Sequence, residues 1–567
     1  MATWFEEDPE RYQAELLLLE EAGFDFHKNE DEHNAGRLQL VVVYPDGEES
    51  HELTASFPAE YPYFPFRIVA PTFPVGRHIH PYGFDLCLLS DLQNQWDGTR
   101  DTLAGFLQDQ VPQILEVHRD EAKASNLESH EAFRPSWYLQ YDPGTKVLVG
   151  DWKIPPQMNR GTMTVALDPG SDPNERLRGA ATALFDEHRD QIAELDAGAW
   201  TEAYSDRKRT KQLKVRWVRL PEAPKKLGTG ILDEAFSIWP ELRRPVFAGG
   251  PDIVGLLFPE EKEYRGDWIE TWAFVVRRKV RRQRQNQLQW SVARSDILSR
   301  DAFQARVPRV TPIADKRVLL VGLGALGAPL AWQLARAGVG ALNCLDRDFV
   351  QVGNLVRWLM GFDAVGLPKA EAVPRCLQSH YPYLDARGFV VDIGSNATGN
   401  SEYMEMALDG VDLIVDATAE WAVNLYLSDL ARKREMPYAW VTATPGGWGG
   451  TVGRVVPGQT KGCWHCFQRF MFDGTIPKPP QEKEKGVQPP GCFHPTFTGT
   501  GFDMDGVSLM ATRLAVATLC SGYETAYPDF DWDAGVLWLW DEATGQPIAP
   551  KWETAPLERH PDCPRHD

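Results

Sequence analysis

Residues 316–357 read KRVLLVGLGALGAPLAWQLARAGVGALNCLDRDFVQVGNLVR. Val318 to Val321 is an apolar run of strand length, and Gly322, Gly324 and Gly327 follow at G-x-G-x-x-G spacing. Ala328 to Ala337 then reads as a helix, and a second strand, Ala341 to Leu345, ends at Asp346. This is the pattern of a βαβ unit whose glycine turn lets backbone N–H groups and a helix N-terminus approach a phosphate. An acidic residue about 20 positions on is placed to bind ribose hydroxyls. Alone, the pattern predicts a nucleotide or dinucleotide site, with nicotinamide enzymes as the default.

The residues that follow change that default. Asp348, Asn354 and Arg357 come next, then Gly366-Leu367-Pro368-Lys369, and after a further strand (Val411 to Val415) Asp416-Ala417-Thr418. Hydride transfer needs no such polar series. An ATP α-phosphate site does, because Lys and Arg neutralise phosphate charge and a carboxylate holds Mg²⁺.

The series D-x-D, N-L-x-R, G-x-x-K and strand-Asp resembles the adenylation domain of ubiquitin-activating-like enzymes of the ThiF/MoeB type. The resemblance implies ATP and Mg²⁺ as cofactors, Asp346 on the ribose, Asn354, Arg357 and Lys369 on phosphates, and Asp416 on Mg²⁺. The family's Gln after the Arg is Trp358 here. In that family an arginine from an N-terminal segment reaches the partner subunit's ATP, a role open to Arg294, Arg300 or Arg306. A homodimer built on the adenylation domains is also implied.

Cysteine spacing adds two readings. Cys463-x-x-Cys466 and Cys563-x-x-His566 together make a closed donor set for tetrahedral Zn²⁺; the family often places a structural zinc there with two C-x-x-C pairs. Between the pairs, the Pro- and charge-rich segment Ile476 to Pro490 leads to Cys492 and His494. Activating enzymes carry a nucleophilic cysteine on such a loop, which assigns that role to Cys492, with Cys520 as fallback. Cys344 and Cys376 fall in apolar elements and are expected to be buried.

The N-terminal part has its own order: a helix (Pro9 to Ala22), strands at Leu38 to Tyr44, Glu52 to Phe57 and Arg67 to Ala70, then His80-Pro81, Cys87-Leu88, Trp96 and a helix over Asp101 to His118. With Tyr61-Pro62 and Pro65, this resembles the ubiquitin-conjugating (UBC) fold over about Pro9 to Arg119. The resemblance makes Cys87 the thioester carrier. The family's Asn after His-Pro is Tyr82 here, so His78 or His80 is the replacement candidate for stabilising the tetrahedral intermediate. Asp85 opposes thiolate formation at Cys87 and is placed to help deprotonate an incoming lysine.

The 567 residues suggest three or four domains at roughly 150 residues each. The expected fold class is multidomain α/β: a UBC-like α+β domain (1–122), a mixed α/β linker domain (123–300) in which Asn174 to Leu195 has helical spacing, and a Rossmann-like ThiF/MoeB-type adenylation domain (301–567). A net charge of −21 argues against nucleic acid and anionic membranes as partners. No signal peptide and no apolar run of membrane-spanning length is found, so a cytoplasmic protein is expected.

The order conjugating domain, linker, activating domain resembles the bacterial CBASS antiphage fusion. That family attaches the C-terminus of a cGAS/DncV-like nucleotidyltransferase (CD-NTase) to targets. The implied partner is a protein with a flexible C-terminal tail, CD-NTase or ubiquitin-like, together with a target amine. Sulfur-carrier adenylation and a scaffold with degenerate sites are the competing classes.

Overall fold

The computed structural model describes residues 3–74, 77–87, 96–119, 132–172, 175–206, 208–282, 285–396, 398–483 and 498–566. The chain divides into two compact units: Met1–Leu195 with Arg207–Asp296, and Asp196–Asp206 with Ile297–Asp567. Among the described residues, no helix is long and apolar enough to cross a membrane.

After a short helical turn (Trp4–Glu7), the first unit has helix α1 (Pro9–Glu21), started by Asp8, whose carboxylate accepts the Arg11 N–H, and by Pro9 in the first turn. An antiparallel meander follows: β1 (Asp25–Lys28), β2 (Gln39–Asp46), β3 (Glu49–Ser56) and β4 (Arg67–Val69), in that order across the sheet. Alternation along β2 and β3 buries Leu40, Val42, Leu53 and Ala55. Helix α2 (Leu103–Arg119) closes the layer, with Leu103, Leu107 and Val111 in the same core.

Glu15 of α1 is fully buried in that core. It accepts the Tyr61 hydroxyl, the Leu103 N–H at 3.0 Å and an ion pair from Arg11 at 2.9 Å. Burial nonetheless raises its carboxyl above the usual range.

The rest of the first unit is a barrel. Its strands are β5 (Tyr141–Val149), β6 (Arg160–Leu167), β7 (Arg178–Phe185), β8 (Gln191–Glu194), β9 (Gln212–Arg219), β10 (Asp252–Glu261), β11 (Trp268–Arg282) and β12 (Gln285–Ile297). They run β5-β12-β11-β10-β9-β6-β7-β8, and β7 also pairs with β5, which closes a ring of seven. Along β10, Ile253 and Leu257 face a core with Val165, Trp217 and Phe274, while Val254, Leu256 and Phe258 face a second core with Leu232 and Leu242.

The expected mixed α/β linker is therefore mainly β, and the helix expected over Asn174 to Leu195 is strands β7 and β8. Leu177, Ala180, Ala181 and Leu184 satisfy helical spacing, yet they are small or apolar because β7 is enclosed. It pairs with β6 on one edge and with β5 and β8 on the other. A Cβ at Gly179 would lie 2.2 Å from the Ala166 carbonyl oxygen.

The second unit is a doubly wound sheet. Strands β13 (Arg317–Val321), β14 (Ala341–Asp346), β15 (Asp385–Val390), β16 (Leu413–Asp416) and β17 (Tyr438–Ala443) are parallel; β18 (Gly449–Val455), β19 (Ala534–Asp541) and β20 (Gln546–Ala555) extend the sheet antiparallel. The order is β15-β14-β13-β16-β17-β18-β19-β20, so the direction of winding reverses at β13. Helices α3 (Gly327–Ala337), α4 (Lys369–His380), α5 (Trp421–Lys433), α6 (Trp464–Phe472) and α7 (Gly501–Leu519) cover the faces.

Removing one partner from a buried ionic network strands the others without solvent. Glu15→Ala is expected to destabilise the first unit by about 3 kcal/mol, and Glu15→Gln by less, in denaturant unfolding followed by tryptophan fluorescence.

Candidate active site

Ligands of open α/β sheets bind beyond the carboxyl ends of the strands where the winding reverses. Here that point is the end of β13, where the glycine turn begins. Gly322 has φ +86°, and a Cβ there would lie 2.9 Å from the Ala417 and Thr418 backbone. At Gly327 a Cβ would lie 1.8 Å from the Gly322 carbonyl oxygen, so α3 can start only from glycine. A Cβ at Gly324 would meet nothing within 4 Å; this glycine faces the open cleft.

Asp346 ties the turn to the end of β14. Its carboxylate accepts the Leu323 N–H at 2.6 Å and the Asp348 N–H at 2.7 Å. Burial raises its pKa, and Lys369 opposes the rise. Lys369, at the first position of α4, is almost enclosed and pairs with Asp348 at 3.0 Å. The cleft is lined by Gly322, Gly324, Asp346, Asp348 and Lys369 on one side, and by Ala417, Thr418, Val391, Ile393 and Val423 on the other. Two cations, Lys369 and Arg347, thus stand in a cleft with a glycine turn, carboxylates and an aliphatic wall, a lining that suits a nucleotide.

Not every expected residue lines that cleft. Asn354 accepts the Gln351 N–H at 2.9 Å and shapes the turn that carries Arg357. Arg357 is half-buried, and desolvation lowers its pKa. Trp358, standing where the family has Gln, donates its indole N–H to the Leu323 carbonyl oxygen at 2.7 Å and so braces the glycine turn.

Asp416 is not among the residues lining that cleft. It is fully buried, and its carboxylate accepts the Thr418 N–H (3.0 Å), the Thr418 hydroxyl (2.8 Å), the Asn424 amide (2.6 Å) and the Tyr438 hydroxyl (3.1 Å). In this arrangement it shapes the Ala417–Thr418 corner. The carboxylates lining the cleft that do face solvent are Asp348, Asp392 and Glu420. Arg347 spans the last two, at 2.8 and 2.9 Å, and sequence reasoning passed over it although it stands between Asp346 and Asp348.

Arg300 donates to the Ala314 and Tyr383 carbonyls of its own unit, and Arg294 lies near Asp296 at 3.5 Å.

Cys463, Cys466, Cys563 and His566 converge, with their ligand atoms all within 4.8 Å. Cys463 Sγ lies 3.7 Å from both Cys466 Sγ and Cys563 Sγ, and His566 Nε2 lies 3.2 Å from Cys466 Sγ. A tetrahedral ion with Zn–S bonds of about 2.3 Å places its sulfurs about 3.8 Å apart, so the donor set fits Zn²⁺. The Cys463 thiol hydrogen bond holds Cys466 toward its thiolate, the form a metal takes. The cluster pins the C-terminal tail to the N-terminus of α6.

In the first unit, Cys87 is the one exposed cysteine among the described residues. Its N–H donates to the His78 carbonyl oxygen at 2.7 Å. His80 Nδ1 accepts the N–H groups of Tyr82 (3.1 Å) and Gly83 (2.8 Å), which fixes its neutral tautomer with the proton on Nε2. The Tyr82 hydroxyl donates to the Pro224 carbonyl oxygen at 2.6 Å, and burial pushes its pKa up to about 12. Tyr82 therefore anchors the turn. Asp85 is engaged bidentately by Arg67 at 3.0 and 2.8 Å, which occupies the carboxylate expected to assist a lysine. Cys344 is buried, its thiol pushed up to about 12; Cys520 is buried, and Cys376 only half-buried. Cys492 and His494 lie outside the described residues.

Residues 298–526 match the ThiF family model. The chain is 29% identical to the uncharacterized protein y4oA of Sinorhizobium fredii, over 99% of this chain and 97% of that protein. It is 36% identical to the sulfur carrier protein ThiS adenylyltransferase of Bacillus subtilis over 27% of this chain and 44% of that protein. It is 25% identical to the ATP-dependent ubiquitin transferase-like protein Cap2 of Enterobacter hormaechei over 40% of this chain and 37% of that protein. The chain thus spans less than half the length of these two named relatives. The second unit carries a ThiF/MoeB-type adenylation domain, and ATP is the nucleotide that family uses.

Two outcomes are expected. Gly327→Ala lowers the melting temperature and abolishes ATP binding, whereas Gly324→Ala leaves the melting temperature unchanged and weakens ATP binding by at least about tenfold, in thermal unfolding and ATP titration. Elemental analysis finds one zinc per chain; Cys463→Ser loses it and lowers the melting temperature by more than about 5 °C.

Proposed function

We propose that the chain activates the C-terminal carboxylate of a carrier protein with ATP and passes the acyl group through two cysteines to an amine. The domains are a conjugating-like domain (1–122), a barrel (123–300) and the adenylation domain (301–567). In the first step the carboxylate attacks the ATP α-phosphate and pyrophosphate leaves, with Lys369 and Arg357 neutralising phosphate charge. Mg²⁺ arrives with ATP, and the solvent-facing carboxylates Asp348 and Glu420 are better suited to meet it than Asp416. In the second step the Cys492 thiolate displaces AMP. Cys87 then takes the acyl group by thiol exchange, and an amine takes it from Cys87 as an amide. Each thioester retains most of the activation, so one adenylation drives both later transfers. Joining both cysteines on one chain raises their effective concentration.

The observation that carries this reading is where the ends of the Cys492 segment meet. Glu482 N–H donates to the Pro445 carbonyl oxygen at 2.9 Å, the Gly446 N–H donates to the Thr498 carbonyl oxygen at 2.8 Å, and the Thr498 hydroxyl donates to Glu482 at 2.6 Å. The Pro445–Gly446 corner follows β17, so both stems stand at the carboxyl edge of the sheet that holds the cleft. Exposed cysteine chemistry in the first unit and the similarity to Cap2 support the conjugating branch. The carried protein is then a CD-NTase or a ubiquitin-like protein, in bacterial antiphage defence. The reading includes a homodimer of the adenylation domain, for which Val356, Phe362 and Phe502 are exposed apolar side chains. The similarity to ThiS adenylyltransferase favours a second reading, sulfur-carrier activation, in which Cys87 takes no part.

Incubation with Mg-ATP and candidate carriers, followed by non-reducing gels and peptide mapping, separates the two. Thiol-sensitive adducts on Cys492 and Cys87 are expected; Cys87→Ser keeps the first and Cys492→Ser loses both. An adduct on Cys492 alone sinks the relay in favour of sulfur-carrier chemistry.

A further inference from the structure

The turn that bears Cys87 is strained. His78 and Phe84 both have φ +59°, a left-handed conformation that non-glycine residues adopt at a cost. The turn folds on itself through the Ile79–Leu86 bridge and the bond from the Cys87 N–H to the His78 carbonyl oxygen. Such a conformation persists only where its surroundings hold it. On one side these are β4, through the Leu86 N–H to the Ile68 carbonyl, the Ala70 N–H to the Phe84 carbonyl and the Arg67–Asp85 pair; on the other they are the barrel of the same unit.

The attachment to the barrel begins at Arg77, next to His78. Its guanidinium engages Glu261 bidentately, Nη1 to Oε2 at 3.0 Å and Nη2 to Oε1 at 2.6 Å. Glu261 ends β10 and is almost wholly buried. The Gly266 N–H donates to its Oε1 at 3.0 Å and the Phe133 N–H to its Oε2 at 2.7 Å. Each oxygen thus receives one guanidinium and one backbone donor. Burial alone would raise this carboxyl; Arg77 and the backbone donors outweigh it and hold it below the usual range. Two further attachments act along the turn. Tyr82 is fixed to Pro224, and the Tyr138 ring stands edge-on to His80 at 4.6 Å. The Tyr138 segment is held in turn by buried Glu260, which accepts from Arg134 and Ser136.

We propose that Glu261 is a positioning residue for Cys87: fixed by β10 of the barrel, its carboxylate grips Arg77 and through it the turn that sets the thiol. The barrel is then a working part of the acyl-transfer centre, beyond its place between the two domains. This rests on Cys87 as an acyl carrier. Charge-assisted bidentate bonds are directional, so loss of either partner lets the turn relax and misplaces the thioester against an incoming amine.

The test uses the full chain with Arg77→Lys, Arg77→Met, Glu261→Gln and the double variant Arg77→Met/Glu261→Gln. Discharge of the Cys87 thioester to a lysine is measured together with the iodoacetamide alkylation rate of Cys87, with Cys376 as internal control. Glu261→Gln and Arg77→Met are expected to lower the discharge rate constant about tenfold with little change in KM for the amine, and to leave pyrophosphate exchange unaltered. Arg77→Lys keeps the charge and loses the fork, so it restores part of the rate. The double variant is no worse than either single one, as for two residues acting as a unit. Alkylation of Cys87 changes at least about threefold while Cys376 is unaffected. Wild-type discharge together with wild-type alkylation in the variants overturns the proposal, as does an equal loss of pyrophosphate exchange, which signals general unfolding. If the wild-type chain forms no Cys87 thioester, the relay fails, and the alkylation rates still decide whether Glu261 sets the thiol.

Discussion

One carboxylate holds the nucleotide cleft in shape. Asp346 accepts the N–H of Leu323 in the glycine turn and that of Asp348 after β14. The turn can approach so closely because Gly322 and Gly327 carry no side chains where the Ala417–Thr418 backbone and the Gly322 carbonyl press against them. The same bond sets the position of Asp348, which pairs with Lys369 at the start of α4. The glycine turn, Asp346 and Lys369 are thus mechanically linked, and Trp358 ties the same turn to the Arg357 segment. Asp416 does for the opposite wall what Asp346 does for this one, with its four donors from Thr418, Asn424 and Tyr438.

The two units use buried charge in the same way. In the second, carboxylates shape backbone corners around a cleft. In the first, Glu260 and Glu261 at the end of β10 collect donors from segments that flank the Cys87 turn. Buried carboxylates are poor sources of net stability, because desolvation offsets much of the attraction. They are good at fixing geometry, because each satisfied oxygen specifies where its donors stand. A strained turn needs that kind of support.

Much of the second unit was legible because its information is local. The apolar run 318–321, the glycine spacing and the strand ending at Asp346 are each recognisable within a few residues of sequence, although their contacts reach to Leu342, Leu413 and Ala417. The Cys463, Cys466, Cys563 and His566 set was legible from donor chemistry and spacing, although its halves are 100 residues apart. The barrel was not. Strand β7 is Ala-rich and reads as a helix, since what makes it a strand is hydrogen bonding to β6, β5 and β8. The surroundings of Asp416 were illegible for a related reason: Asn424 and Tyr438 reach it from 8 and 22 residues away, and no motif announces them. Tyr82 looked like a missing catalytic amide; only the fold reveals its bond to Pro224.

The central claim is that this cleft adenylates a carboxylate. The most direct measurement is exchange of labelled pyrophosphate into ATP, with and without a carrier protein, in the wild type, Lys369→Ala and the Cys492→Ser/Cys87→Ser double variant. Adenylation precedes both thioesters, so exchange should require the carrier, fall at least about a hundredfold in Lys369→Ala and persist in the double cysteine variant. Exchange that survives Lys369→Ala undiminished, or that disappears with the cysteines, would contradict the account.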